Sequence, residues 1–323
     1  MENKIKKIGV LTSGGDAPGM NAAIRSVVRS ALSKGLEVVG VQRGYAGLIN
    51  GEIFEMNVRD VSNILQAGGT HLLSARSKEF CTEEGMQKAI ANCKKFGIEG
   101  LVVIGGDGSY RGAADLSARG IPCIGIPGTI DNDISSTDYT LGFDTCVNCV
   151  IDMVDRIRDT MRSHERCSVV EVMGRNAGYI ALHAGIATGA AYIMVPEIES
   201  SVDDVIEKIE AGRKLGKYNF IVMVAEGVGR AEELSRTIEE RTGVVTRATI
   251  LGHVQRGGSP TSRDRVLASR FGCYAVDLLL EGKSNRVVGI HNDKLVNYDI
   301  QEALAMKKEF PMELYKLCDI ISI

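Results

Sequence analysis

Two short clusters in this sequence carry groups that could handle a phosphate and a proton. Between Leu101 and Arg111 an apolar run ends in Gly105-Gly106-Asp107-Gly108-Ser109 before helix-compatible residues resume. Glycines there remove Cβ atoms where backbone N–H groups must approach phosphate oxygens. The N-terminus of a following helix adds partial positive charge, and Asp107 offers a hard oxygen to Mg²⁺. Between Ile121 and Asp133 a second apolar run ends in a polar loop that carries Thr129, Asp131 and Asp133. One carboxylate can hold metal while another accepts a proton. A third cluster, Ile8 to Asn21, passes from a strand pattern through Gly14 and Gly15 to Pro18, near the start of a helix pattern where its missing N–H does no harm. A lone Gly/Asp cluster most often simply turns the chain. Three of them after three apolar runs point instead to the carboxyl edge of a parallel sheet, where ligands bind.

The elements that must position these loops follow from hydrophobic spacing. Strand patterns at Ile8 to Leu11, Val38 to Val41, Leu101 to Ile104 and Cys123 to Ile126 alternate with helical patterns such as Ile24, Val27, Val28, Ala31 and Leu32. That alternation predicts a parallel sheet. After a long helix ending near His164, a second strand series follows at Ser168 to Met173, Tyr192 to Val195, Phe220 to Ala225 and Thr249 to Val254. The second half echoes the first: IGVLTSGGDAPGMNAA parallels VVEVMGRNAGYIAL, and LVVIGGDG parallels IVMVAEGVG. The expected fold is α/β, with two Rossmann-like lobes of mostly parallel sheets and an active-site cleft between them. One lobe takes residues 1–142 plus about 262–308, the other takes 143–261, and 309–323 form a C-terminal tail.

Composition excludes several function classes. The 323 residues, 44% of them hydrophobic, are ample for a large core. The net charge is −3 with lysines and arginines dispersed, so no electrostatic footprint for nucleic acid or an anionic membrane is present. The opening MENKIKKIGVLTSGG lacks a signal-peptide pattern and no window reaches transmembrane length, which predicts a cytoplasmic protein. Of eight cysteines only Cys146 and Cys149 form a C-x-x-C pair. It lies among Val147, Val150, Ile151, Val154 and Ile157 at helical spacing, with no second pair or near histidine to complete a zinc set. Packed thiols are therefore expected there.

Taken in order, GGDAPGMN, GGDGSY, PGTIDND, the EVMGR loop and LGHVQRGGSP resemble the bacterial ATP-dependent 6-phosphofructokinases along nearly the whole chain. The resemblance implies transfer of the γ-phosphoryl of ATP to the 1-hydroxyl of fructose 6-phosphate, the committed step of glycolysis. It makes the first lobe the ATP-binding one and the second the fructose-6-phosphate-binding one. It implies Asp131 as general base, with Thr129 and Asp133 as its substrate-contacting and supporting neighbours. Gly15, Arg76, Ser77 and the loop Gly106, Asp107, Gly108 and Ser109 match the ATP positions, with Asp107 the magnesium-associated carboxylate. Arg175 matches a residue beside the transferring phosphoryl, where a fixed guanidinium stabilises developing charge. Met173, Gly174 and Glu226 match sugar contacts. Arg166, Arg247, His253 and Arg256 match the set around the 6-phosphate, to which bidentate arginines are better suited than lysines. In the family Arg166 and Arg247 act from the adjoining subunit, which implies a homotetramer with dihedral symmetry.

Donor choice turns on two glycines, since pyrophosphate-using relatives typically carry Asp at the Gly108 position and Lys at the Gly128 position. Glycine at both places favours ATP over pyrophosphate. An effector site for ADP or phosphoenolpyruvate is implied by Arg25 and Arg29, one helical turn apart, with Arg158 and Lys217. Ala191 stands where close relatives have a magnesium-binding Glu, and Leu215 where they have a basic residue, so blunted or altered allosteric control is expected. The competing readings are a pyrophosphate-dependent enzyme, an NAD or lipid kinase sharing the GGDG loop, and a nucleotide-sensing paralogue without chemistry. The last would be marked by loss of Asp107, Asp131 or Arg175, and all three are present.

Overall fold

A computed structural model describes residues 5–322 and divides the chain into two compact units. The first comprises the residues up to Ile130, Ile134–Thr145 and Arg256–Lys308; the second comprises Asp131–Asp133, Cys146–Gln255 and the residues from Glu309 onward. The first unit opens with β1 (Lys7–Thr12) and α1 (Met20–Ser33), then β2 (Glu37–Val41), α2 (Gly44–Asn50) and β3 (Ile53–Met56). It continues with α3 (Glu83–Lys95), β4 (Gly100–Gly105), α4 (Asp107–Ala118) and β5 (Cys123–Pro127). The chain passes to the second unit inside α5 (Phe143–His164). There it forms β6 (Cys167–Val172), α6 (Tyr179–Ala187), β7 (Tyr192–Met194), α7 (Val202–Lys214), β8 (Phe220–Ala225), α8 (Ala231–Thr242) and β9 (Thr246–Ile250). It returns to the first unit for α9 (Ser262–Leu280), β10 (Arg286–His291), β11 (Lys294–Asp299) and α10 (Ile300–Ala305). The last helix, α11 (Met312–Ile321), belongs to the second unit.

The first unit's sheet has the order β11-β10-β5-β4-β1-β2-β3, parallel except for β3 and β11 at its edges. The apolar runs of the sequence form its centre: every residue of β4 and β5 is buried, as a parallel sheet covered on both faces requires. Leu11, Val39, Leu101 and Val103 pack with Tyr110 and Leu116 of α4 and with Ala89 and Ile90 of α3. Each fully buried aliphatic side chain contributes on the order of 1.5–3 kcal/mol. α1 lies so close to α9 that a Cβ on Gly272 would stand 2.6 Å from the Ser26 Cβ.

Asp264, 1% exposed, fixes the start of α5. Its carboxylate accepts from the Gly142 and Thr145 N–H groups, both at 2.9 Å, and from the Thr145 hydroxyl. Thr261 caps α9 and donates its hydroxyl to Asp144 at 2.7 Å. Asp264 thus satisfies N–H groups at the start of α5, and in return the Thr261 N–H donates to the Thr145 hydroxyl at 3.0 Å. Burial pushes the Asp264 carboxyl up, against the pull of its three hydrogen bonds.

The second unit's sheet, β7-β8-β6-β9, is parallel throughout. Val169, Val222 and Val224 pack with Val205 and Ile209 of α7 and with Leu234 and Ile238 of α8. The Tyr315 hydroxyl on α11 donates to the Ile193 carbonyl at 3.1 Å, and Lys208 pairs with Asp319 at 3.1 Å. The strand expected at Thr249 to Val254 is displaced. It ends at Ile250, and Gly252–Arg256 form a short 3-10 helix. Gly252, at φ +57°, ends the extended run, and Val254 is 55% exposed rather than in the core. The sequence echo has a spatial counterpart, because β5-β4-β1-β2 in one sheet corresponds to β7-β8-β6-β9 in the other. The flanking strands arrive in a different chain order, β7 before β8 but β5 after β4.

Candidate active site

In the first unit, loops leave the carboxyl ends of the neighbouring strands β1, β4 and β5. After β4 only Gly106 separates the strand from α4, whose first residue, Asp107, is exposed. A Cβ placed on Gly106 or on Gly108 would meet no atom within 4 Å. Packing therefore does not demand glycine at either position. Gly105 differs: its Cβ would stand 2.5 Å from the Ser13 carbonyl oxygen. Open space beside a helix N-terminus suits a polyphosphate. Ser109 turns inward and donates to the Ser13 carbonyl at 3.1 Å, while its own carbonyl accepts from the Tyr45 hydroxyl at 2.5 Å. The first bond ties the β4 loop to the β1 loop, and the second ties it to α2.

Gly14, at φ +90°, turns the β1 loop. The segment carrying Arg76 and Ser77 is laid over it, with Ser74 donating to the Gly14 carbonyl at 2.6 Å and Thr12 to the Leu73 carbonyl at 2.8 Å. Arg76 is exposed, and the Ser77 hydroxyl accepts from the Phe80 N–H at 3.1 Å. Arg256 lies against this same loop: its Nη1 donates to the Asp16 carbonyl at 3.2 Å and stands 2.7 Å from where a Cβ of Gly15 would be. After β5 the Gly128 N–H donates to the Gly105 carbonyl at 3.0 Å, and the Thr129 N–H donates to the Leu141 carbonyl at 3.2 Å. A Cβ on Gly128 would stand 2.9 Å from the Met20 Cε, so a lysine there would have to displace Met20.

The second unit gathers the other candidates. Asp131 is 7% exposed, and Asn132 adopts φ +52°, a left-handed conformation that asparagine tolerates better than most residues. Asp133 acts on Tyr179, the first residue of α6: burial pushes that hydroxyl up to about 12, and the charges of Glu197 and Asp133 add to it. Strands β8, β6 and β9 are neighbours, so Glu226, Met173 to Arg175, and His253 emerge from their carboxyl ends side by side. The Arg175 N–H donates to Glu226 Oε1 at 2.5 Å, with Arg175 at φ +58° after Gly174 at φ +138°. A left-handed non-glycine residue costs about 1–3 kcal/mol and persists where its surroundings over-determine it. Arg166 and Arg247 are not brought to this edge. Arg166 precedes β6, and Arg247 is in register with Ser168, near the amino end of the sheet. Arg247 instead pairs with Glu239 at 2.9 Å.

Three residues absent from the sequence reading prove to be structural partners of the site loops. Gln255 accepts from the Met173 N–H, Glu197 accepts from the Gly178 N–H at 2.8 Å, and Asp264 fixes α5 as described. Gln255 lay inside a recognised motif, but its burial was not legible there. The implied effector residues divide between the units. Arg25 and Arg29 are half-buried on α1, and Arg29 Nε has no hydrogen-bond partner among the described residues. In the second unit Arg158 donates to the Thr188 carbonyl and Lys217 to the Ser322 carbonyl at 2.7 Å. Burial, and then the charge of Arg158, hold the Lys217 ammonium below the usual lysine value. Ala191 is buried, whereas Leu215 is 72% exposed. Cys146 is buried and Cys149 half-buried on α5. Among the described residues no three His, Cys, Asp or Glu side chains cluster as metal ligands, and no helix is long and apolar enough to cross a membrane. The exposed Asp107 alone suits Mg²⁺ arriving with phosphates, which needs only one or two carboxylates from the protein.

The sequence matches the phosphofructokinase family over residues 7–279. The chain belongs to that family. An ATP-dependent 6-phosphofructokinase of Clostridium botulinum strain Hall is 59% identical over 318 residues, covering 98% of this chain and 100% of that one. One from Clostridium tetani is 58% identical over the same lengths. A solved phosphofructokinase from Saccharomyces cerevisiae matches with a TM-score of 0.91 at 36% identity over 97% of this chain, which spans 50% of the yeast chain. A pyrophosphate-dependent phosphofructokinase from Marinobacter aquaeolei shares the fold, with a TM-score of 0.85 at 23% identity over 96% of this chain and 86% of its own.

Proposed function

We propose that this chain transfers the γ-phosphoryl of ATP to the 1-hydroxyl of fructose 6-phosphate, giving fructose 1,6-bisphosphate and ADP. The observation that carries the ATP reading is the pair of glycines around Asp107 whose Cβ positions are empty. A fold that does not need those glycines keeps the space for a ligand, and a carboxylate at Gly108 would repel a phosphate of ATP. Gly106, Gly108, Ser109 and Gly15 bind the donor through backbone groups, and Arg76 and Ser77 flank it. Asp107 would hold Mg²⁺, which when bound would supply positive charge to the phosphates of the donor.

Asp131 removes the proton of the 1-hydroxyl as that oxygen bonds to the γ-phosphorus and the bond to the bridging oxygen of ADP breaks. Asp133 supports that loop, and Thr129 contacts the substrate. Arg175, held by Glu226, stabilises charge on the transferring oxygens. Met173, Gly174 and Glu226 hold the sugar, and His253 and Arg256 bind its 6-phosphate. Arg166 and Arg247 lie at the far edge of their own sheet, which supports their acting on the substrate of an adjoining subunit in a homotetramer. ADP or phosphoenolpyruvate is an effector with weakened grip, because Ala191 supplies no carboxylate and Leu215 no cation.

Initial rates with fructose 6-phosphate and Mg²⁺ test this, comparing ATP with pyrophosphate and wild type with Asp131→Ser. ATP-dependent turnover reduced by about 10²–10⁴-fold in the variant is expected. Turnover with pyrophosphate alone would refute the donor assignment, and undiminished turnover in the variant would refute the base.

A further inference from the structure

Resting on that reading, we infer that Gln255 is a positioning residue that sets the sugar-binding loop after β6 against the loop carrying His253. Gln255 is completely buried. Its Oε1 accepts from the Met173 N–H at 3.1 Å and faces the Cys146 thiol at 4.0 Å, while its Nε2 donates to the Gly252 carbonyl at 3.0 Å. A backbone N–H only donates and a carbonyl only accepts, so the two contacts fix the amide's orientation. One side chain thereby closes a bridge from Met173, two residues before Arg175, to Gly252, the residue before His253. Both loops leave adjacent strands, β6 and β9, and beyond the strand register the Leu251 N–H still donates to the Glu171 carbonyl at 3.1 Å, two residues short of Met173. The next residue, Arg256, then turns to the Asp16 carbonyl, so the chain is anchored on both sides of the Gln255–Arg256 peptide.

The chemistry required is specific: a neutral group with one donor and one acceptor at this reach. A methionine of similar length offers neither strongly and would leave a buried N–H and a buried carbonyl unpaired. An ionised carboxylate could accept from Met173 but would face the Gly252 carbonyl without a proton. A protonated carboxyl restores both contacts, its carbonyl accepting and its O–H donating.

Gln255→Met and Gln255→Glu, assayed as the full-length enzyme beside wild type, test the assignment. For Gln255→Met, kcat/KM for fructose 6-phosphate should fall by about 30–100-fold, the scale of a misplacement near 1 Å, with KM for ATP changed by less than about 2-fold. For Gln255→Glu the same loss should hold at pH 8 and recede relative to wild type as pH falls towards 6, since burial raises the pKa of the introduced carboxyl. A folded Gln255→Met with undiminished kcat/KM for the sugar, or with ATP and sugar affected equally, would overturn the inference. If Gln255→Met does not fold, the pH profile of Gln255→Glu decides, and a flat profile relative to wild type counts against it. Inactivity of wild type with both donors would instead refute the proposed function itself.

Discussion

Mixing two inactive variants should regenerate activity. Arg247 is in register with Ser168, which lies four residues before Val172, where the site loop begins. Arg166 lies six residues before Val172. At about 3.3 Å per residue, the two arginines sit roughly 13–20 Å from the edge that presents Met173, Arg175 and Glu226. No arginine side chain spans that within one chain, so each must serve another copy's substrate or none. On the proposed mechanism, Asp131→Ser subunits lack the base and Arg247→Ala subunits lack a phosphate ligand. Across a two-fold interface, a mixed pair has one site with both defects and one with neither. Random exchange makes about half the pairs mixed, so about a quarter of all sites should be intact. The assay is the rate of each variant alone and of an equimolar mixture after subunit exchange, at a low fructose 6-phosphate concentration. Recovery to about one quarter of the wild-type rate is expected. Verified exchange without recovery would refute the reasoning and return Arg247 to its ion pair with Glu239 as a purely structural residue.

Gly108→Asp should leave the melting temperature unchanged, since a Cβ there meets nothing within 4 Å and an acid suits a first helical turn. Its kcat/KM for ATP should drop about 10²–10³-fold, because two unit charges 4 Å apart repel by about 4 kcal/mol at an effective dielectric of 20. Asp264→Ala should lower unfolding free energy by roughly 2–5 kcal/mol in urea titration, by orphaning the Gly142 and Thr145 N–H groups. Because burial holds the Asp264 pKa above its unfolded value of 3.8, its titration favours folding most below that value. Wild type should therefore lose stability relative to Asp264→Asn as pH rises from 3.8 through the raised folded-state pKa. Rate measurements should show ADP activation only well above low micromolar concentrations, and strong activation in that range would contradict the reading of Ala191 and Leu215.

The sequence by itself determined the parallel-sheet class, because buried strands such as β4 and β5 read as unbroken apolar runs, and it located the loops that follow them. It determined which residue types could do chemistry, because glycines and carboxylates clustered after strands have few physical uses. Period and composition are local properties, and these conclusions needed nothing else. Only the tertiary structure decided that β8, β6 and β9 are neighbours, which sets Glu226, Arg175 and His253 along one edge while stranding Arg166 and Arg247 at the other. It alone turned Val254 out of the expected strand, because Gly252 at φ +57° breaks the extension. It alone buried Gln255 and Asp264 beside partners 82 and 119 positions away in the chain. Pairings at that separation arise from strand order and helix packing, which depend on the whole folded chain rather than on any window of it.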